Sequence, residues 1–184
     1  MSRTSQTETA VLGALSVEPM SGYALRAAIV DTLGHFWHES FGQIYPALAR
    51  AEAAGHVRRR SEGLTSGHVF ELTDAGRRRL RELLAEPVAP TPARNGLLLR
   101  LFFGDVLGPQ ACRELLADAE QRAGEALEQY AAIRRELAEE DDPGRPYRLL
   151  TLSYGETVAR ALEQWARDSA TALRHVDDAG AADS

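Results

Sequence analysis

Gln43, Tyr45 and Arg50 lie in the stretch SFGQIYPALARAEAAGHVRRR (40–60), spaced so that one helix would present them together. On a helical wheel Ile44, Leu48 and Ala51 share an arc, at i, i+4 and i+7. Gln43, Pro46, Ala47 and Arg50 are read onto the opposite arc, with Tyr45 at its flank. A carboxamide and a guanidinium are the two side-chain groups that pair bidentately with adenine and guanine edges. The small Ala47 is expected to allow close approach. Pro46 is tolerable only near a helix start, so this helix must begin a few residues before it, near Ser40 or Gly42. The chemistry these residues offer is hydrogen-bonded recognition rather than bond making.

Other chemistries find little support. No Gly-rich phosphate loop, Ser/His/Asp set or carboxylate pair stands in a helical or strand context. His35 and His38 flank Phe36 and Trp37 at a spacing of three, but no carboxylate other than Glu39 and no cysteine is near, so a metal is not expected. Cys112 is the single cysteine; it cannot form an internal disulfide, and its place on an apolar helix seam makes it a buried thiol. Neither an enzyme nor a cofactor is expected. With no signal peptide, no apolar run long enough for a membrane span and no disulfide framework, the expected location is cytoplasmic.

Charge is the apparent objection to a nucleic-acid partner. The 184 residues carry a net charge of −6, with 21 basic and 27 acidic side chains. Every basic residue is arginine, which fits the codon usage of a GC-rich genome. The acidic excess is local: residues 1–86 hold ten Arg and ten Asp/Glu, and residues 87–184 hold eleven and seventeen. Between Arg50 and Arg81 there are eight arginines against four acids, a basic stretch of the kind that contacts phosphates.

The elements that must position these residues follow from periodicity and punctuation. Residues 85–94, AEPVAPTPAR, hold three prolines within six positions and form a stiff connector. Before it, the order is helix, helix, helix, hairpin, helix. The first helix spans about 7–16, with Val11, Leu12 and Leu15 together. The second is capped by Ser21, carries Leu25, Ile29 and Leu33, and closes at Gly34. The third ends at Gly55. Strands over 56–61 and 68–72 flank a turn with Gly63 and Gly67. Thr73 then caps a helix whose Leu80, Leu83 and Leu84 are expected to face inward. This is a winged helix-turn-helix order, in which the third helix enters the major groove and the hairpin lies along the backbone. Arg58, Arg59 and Arg60 alternate across a strand, so at least one is solvated or salt-bridged. Tyr45 could equally be structural, packing on the wing.

After the connector the chain reads as helical throughout. RNGLLLRLFF is a short apolar helix, and Pro109 suits the first position of the next. Cys112, Leu116, Ala119, Ala123, Ala126, Tyr130, Ile133 and Leu137 recur at alternating steps of four and three, a heptad seam. A last helix over about 146–176 carries Leu150, Tyr154, Val158, Ala161, Leu162, Trp165 and Leu173 as its expected apolar face. The fold class is therefore mainly α: a winged helix-turn-helix domain over 1–86, a linker over 87–93, a helical dimerisation domain over 94–176 and a disordered tail over 177–184.

AVLGALSVEPMSGYALRAAI, FWHESFGQIYPALARAEAAGHV and VFELTDAGRRRLRELL resemble the N-terminal domain of the PadR family of transcriptional regulators. Phe70 stands where that family usually has tyrosine at the strand-to-helix corner. LLLRLFFGDVL and LSYGETVARALEQWARDSATAL resemble the C-terminal domain of its longer subfamily, so the likeness spans about 7–173. The resemblance implies a homodimeric DNA-binding regulator, usually a repressor, that responds to a small aromatic or hydrophobic effector. Double-stranded DNA, a second copy of the chain and such an effector are the expected partners; no membrane is. The expected DNA contacts are Ser40, Gln43, Tyr45, Arg50, Arg60, Ser66 and His68. The expected effector residues are Phe36, Trp37, Phe103, Tyr154 and Trp165. The expected dimer contacts are Leu116, Ala119, Ala123, Ala126, Tyr130, Leu162 and Trp165, the alternative being that the heptad seam only packs the helical module against itself within one chain. The alternative reading is a winged-helix protein-interaction module without sequence-specific DNA binding.

Overall fold

The computed structural model describes residues 3–33, 41–60, 68–88, 95–139 and 141–182. Gly34 to Ser40, including the Phe36–Trp37 pair and both histidines, lie outside them, as do Ser66 and the turn glycines Gly63 and Gly67. The chain divides into two compact units, Met1–Thr91 and Pro92–Ser184.

The first unit runs α1 (Arg3–Val17), β1 (Met20–Ser21), α2 (Gly22–Leu33), α3 (Phe41–Ala53), β2 (Val57–Arg60), β3 (Val69–Leu72) and α4 (Asp74–Ala85). α1 stops just before Glu18-Pro19, because a residue preceding proline is pushed out of the helical region. The Ser21 hydroxyl then accepts from the Ala24 amide (3.1 Å) and caps α2. β1 was not legible, since two residues carry no periodicity. It completes an antiparallel sheet of order β1-β3-β2, with Met20 opposite Phe70 and Val57 opposite Leu72. Val11, Leu12, Leu15, Leu25, Ile29, Ile44, Leu48, Val57 and Leu83 fill the core beneath it. Leu80 packs on that core as expected, but Leu84 does not: it is 66% exposed, one residue past the buried Leu83.

One corner joins sheet to helix. The Thr73 amide donates to the His56 carbonyl (3.0 Å), and the Thr73 hydroxyl bonds the Gly55 carbonyl (2.7 Å) while accepting from the Gly76 amide (3.0 Å). Backbone passes over backbone so closely that a Cβ on Gly76 would sit 2.1 Å from the His56 oxygen. This is the physical content of the Leu-Thr-x-x-Gly corner. Gly55, at φ 72°, supplies the left-handed turn that sends the chain from α3 into β2.

The second unit consists of α5 (Gly96–Phe102), α6 (Gly104–Leu107), α7 (Pro109–Glu139) and α8 (Arg145–Ala182). The Asn95 side chain accepts from the Leu97 and Leu98 amides and caps α5. Gly108, at φ 88°, turns the chain so that Pro109 opens α7. α7 and α8 form a long antiparallel hairpin. The heptad seam is buried as its spacing demands, but against α8 of the same chain. Tyr130 and Leu137 pack with Leu152 and Ala159, and Leu116 and Ala119 pack with Ala166. Ala123 is buried and Ala126 joins the first of these clusters. The expected dimer role of Leu116, Ala119, Ala123, Ala126 and Tyr130 is therefore corrected: a heptad pattern states that a helix has an apolar seam, not which helix fills it. The apolar face expected for α8 is corrected in part: Leu173 packs on the Leu116, Ala119 and Ala166 cluster and Leu162 is half-buried. Leu152, Ala159 and Ala166 face α7, whereas Leu150, Tyr154, Val158 and Trp165 are 69, 67, 48 and 37% exposed. α8 also continues to Ala182, through the positions expected to form a tail.

One buried carboxylate ties the hairpin. Glu156, 8% exposed, accepts a two-pronged bond from Arg134 (2.7 and 3.0 Å) and a third from Arg160 (3.2 Å). The Arg134 bond, and secondarily Arg160, hold its carboxyl below the ordinary glutamate range against the opposing effect of burial. A depressed folded pKa gives stability that is present above the unfolded value of ~4.3 and lost as pH falls through the folded one. Glu156→Gln should therefore flatten the acid side of the helical unit's melting profile below about pH 4.5, read by circular dichroism. Gly76→Ala should destabilise the first unit by about 3 kcal/mol in urea unfolding, the upper end of an overpacking penalty, because backbone must move.

Candidate nucleic-acid interface

α3 buries Ile44, Ala47, Leu48 and Ala51 and exposes Gln43, Tyr45, Pro46, Ala49 and Arg50. The placement expected for Ala47 is thus corrected. Three residues after Ile44 it lies only about 60° away from it around a 3.6-residue helix, so it belongs to the core side. Ala49 is the small residue on the outer face. Pro46 stands in the second turn of a helix that starts at Phe41, and the carbonyl it leaves without a backbone donor is that of the exposed Gly42.

Tyr45 rests on the start of α2. A Cβ at Gly22 would lie 3.1 Å from its Cε1 atom, so the absence of a side chain at Gly22 lets the ring lie against the start of α2. Tyr45 remains 47% exposed there, at the edge of the α3 face.

The arginines of β2 divide as alternation requires. Arg58 and Arg60 share the face of Glu71: Arg58 Nε bonds its carboxylate, and Arg60 stands 3.9 Å from it. Arg59 turns the other way, with its guanidinium 5.4 Å over the Phe70 ring and a 2.8 Å bond to Glu52. Arg79 in α4 forks Glu8 of α1 at 3.1 and 3.2 Å. Arg50, Arg77, Arg78 and Arg81 are exposed and make no ion pair with any described residue. Arg60 and His68 are exposed on the two strands, while Ser40 and Ser66 lie outside the described residues.

A family model described as the transcriptional regulator PadR-like family matches residues 11–82, and one described as virulence activator alpha C-term matches 93–174. The chain thus carries a PadR-like family domain followed by a virulence activator alpha C-terminal domain. The negative transcriptional regulator PadR of Bacillus subtilis is 26% identical over 138 residues, covering 73% of this chain and 76% of that protein. The PadR-like regulator BC1756 of Bacillus cereus superposes with a TM-score of 0.79 at 21% identity, covering 92% of this chain and 98% of that one. B. subtilis PadR in complex with operator DNA gives 0.77 at 22%, covering 90% and 98%. These two structures match the fold described above.

The expected effector residues scatter. Phe36 and Trp37 are outside the described residues. Phe103 is 54% exposed and meets Phe102 edge-on at 5.1 Å, and Tyr154 stands on the outer face of α8. Trp165 alone of the described three lines a cleft, of about 570 Å³, whose walls include Leu101, Cys112, Leu116 and Leu173. No helix among the described residues is long and apolar enough to cross a membrane. The Gly22–Tyr45 contact is the feature of the interface that sequence reading missed; Gly at the first position of α2, directly after its cap, was the available signal. Gly22→Ala should weaken operator affinity several-fold in fluorescence anisotropy while melting shifts by less than about 5 °C. A loss of affinity that only tracked a loss of folding would separate Tyr45 from the interface.

Proposed function

We propose that this chain is a homodimeric, effector-responsive repressor of the cytoplasm that reads an inverted-repeat operator with α3. The observation that carries this reading is the outer face of α3. Gln43 and Arg50 project from a helix whose opposite side is wholly buried, so the face is rigidly held and free to enter a groove. Gln43 reads a base edge. Arg50, which has no acidic partner among the described residues, meets phosphate. Tyr45 borders the same face. The β2–β3 hairpin acts as the wing, with Arg60 and His68 toward the backbone; Ser40 and Ser66, also expected DNA contacts, lie outside the described residues. Arg77, Arg78 and Arg81 join the phosphate contacts, because they are unpaired and Arg58 and Arg59 are not. B. subtilis PadR, which shares the fold, has been solved with operator DNA and with p-coumaric acid, and this supports a reading in which a small molecule controls the complex.

The dimer is carried by apolar surface that the chain leaves uncovered. Leu150, Tyr154, Val158 and Trp165 form one stripe along α8, at steps of four, four and seven. Leu98, Phe102 and Val106 on α5 and α6 are 49, 80 and 83% exposed. Leu162, half-buried beside the stripe, and Trp165 keep the dimer role expected of them. An effector that favours the wrong spacing of the two α3 helices releases the operator.

On an operator with half-site centres about 10–10.5 bp apart, Gln43→Ala should lower discrimination at one base pair by roughly 1–3 kcal/mol. Arg50→Ala should weaken all sequences alike and reduce the salt slope by about one. Wild-type affinity in both variants would remove α3 from the recognition role. Val158→Glu should give folded monomers in sedimentation velocity with much weaker operator binding, whereas Ala123→Glu should unfold the hairpin instead. A tight Val158→Glu dimer would move the interface off α8.

A further inference from the structure

The cleft beside Trp165 lies wholly within the second unit, between α6, the first turns of α7 and the middle of α8. Cys112 and Leu116 are buried at its base. A volume of about 570 Å³ fits a small organic molecule. The cleft has one charged lining residue, Asp105 of α6, and no arginine or histidine. Asp105 is exposed and has no hydrogen bond or ion pair with any described residue. Trp165, the aromatic side chain with the strongest attraction for a cation on its face, lines the same cleft. The start of α7 at Pro109 also opens here, but a helix terminus offers only about half an elementary positive charge, against a full negative charge on the carboxylate. The balance of the cleft is negative.

We propose that this cleft takes a small planar organic cation, with its aromatic body against Trp165 and the apolar base and its ammonium group toward Asp105. The same arrangement disfavours aromatic carboxylates, whose charge would meet Asp105 with no arginine to offset it. The proposal deepens the effector reading above and rests on it for its consequence at the operator, but the binding step stands apart from DNA.

The test uses the full-length protein and two probes of one skeleton, 2-naphthylmethylammonium and 2-naphthylacetate, in calorimetric titration at pH 7. The cation should bind roughly tenfold tighter, the combined effect of a cation–π contact and a partly exposed ion pair. Asp105→Asn, at an exposed position and checked for unchanged helicity, should bring the two probes within about twofold of each other, and Asp105→Glu should restore the difference. Ala172→Trp should fill the cleft and remove binding of both. The proposal is overturned if the carboxylate binds as tightly as the cation, if Asp105→Asn leaves the ratio intact, if Ala172→Trp changes nothing, or if neither probe binds. Charge-ordered binding with operator affinity unaltered at saturating cation would uphold the site and instead remove effector-responsive regulation.

Discussion

The first unit depends on one backbone crossing, where the start of α4 passes over the His56 carbonyl with no side chain between them. Thr73 and Gly76 bind that crossing from one side, and Gly55 turns the chain into it from the other. Because β2 begins one residue after His56, the crossing also sets the register of Arg58, Arg59 and Arg60 against β3. And because α3 ends just before Gly55, it limits how that helix can roll. Ile44, Ala47, Leu48 and Ala51 then have one way to stay dry, which leaves Gln43, Ala49 and Arg50 outside. A contact far from the outer face of α3 thus fixes which residues that face can contain.

An acidic chain reading DNA is less of a contradiction once pairing is counted. Four of the eight arginines between Arg50 and Arg81 stand within ion-pair distance of Glu8, Glu52 or Glu71, so they hold elements together at little net charge. Ion pairs at such partly exposed positions contribute little stability each, but they decide where uncompensated charge remains. It remains on α3 and along α4. The surplus acid lies in the second unit, beyond the proline-rich connector.

In the second unit, size decides which apolar face packs where. α7 presents alanines and α8 answers with Gly155, Ala159 and Ala166, so the two helices approach closely. A Cβ on Gly155 would stand 3.1 Å from the Tyr130 ring. Small side chains bury little area but exclude larger partners, and the bulky Leu150, Tyr154, Val158 and Trp165 are turned outward by the same rotation. Glu156 reinforces that rotation, since its carboxylate reaches Arg134 of α7 only in this setting of α8.

The sequence by itself determined the order of the main helices and of the hairpin, the caps at Ser21 and Thr73, the buried faces of α1 and α7, Leu25 and Ile29 as the buried side of α2, and the presence of Gln43 and Arg50 on one exposed arc. Each is a local property, set by periodicity of 3.6 or by a side chain bonding amides two or three residues away. Only the tertiary structure decided the rest. Two apolar faces on α8 look alike in one dimension, and which of them meets α7 depends on close approach at Gly155. The strand Met20–Ser21 exists because β3 offers it an edge. Three adjacent arginines are indistinguishable by type; Glu71 and Glu52, 13 and seven residues from their partners, separate them. The cleft at Trp165 gathers residues from 101 to 173, and no spacing along the chain announces it.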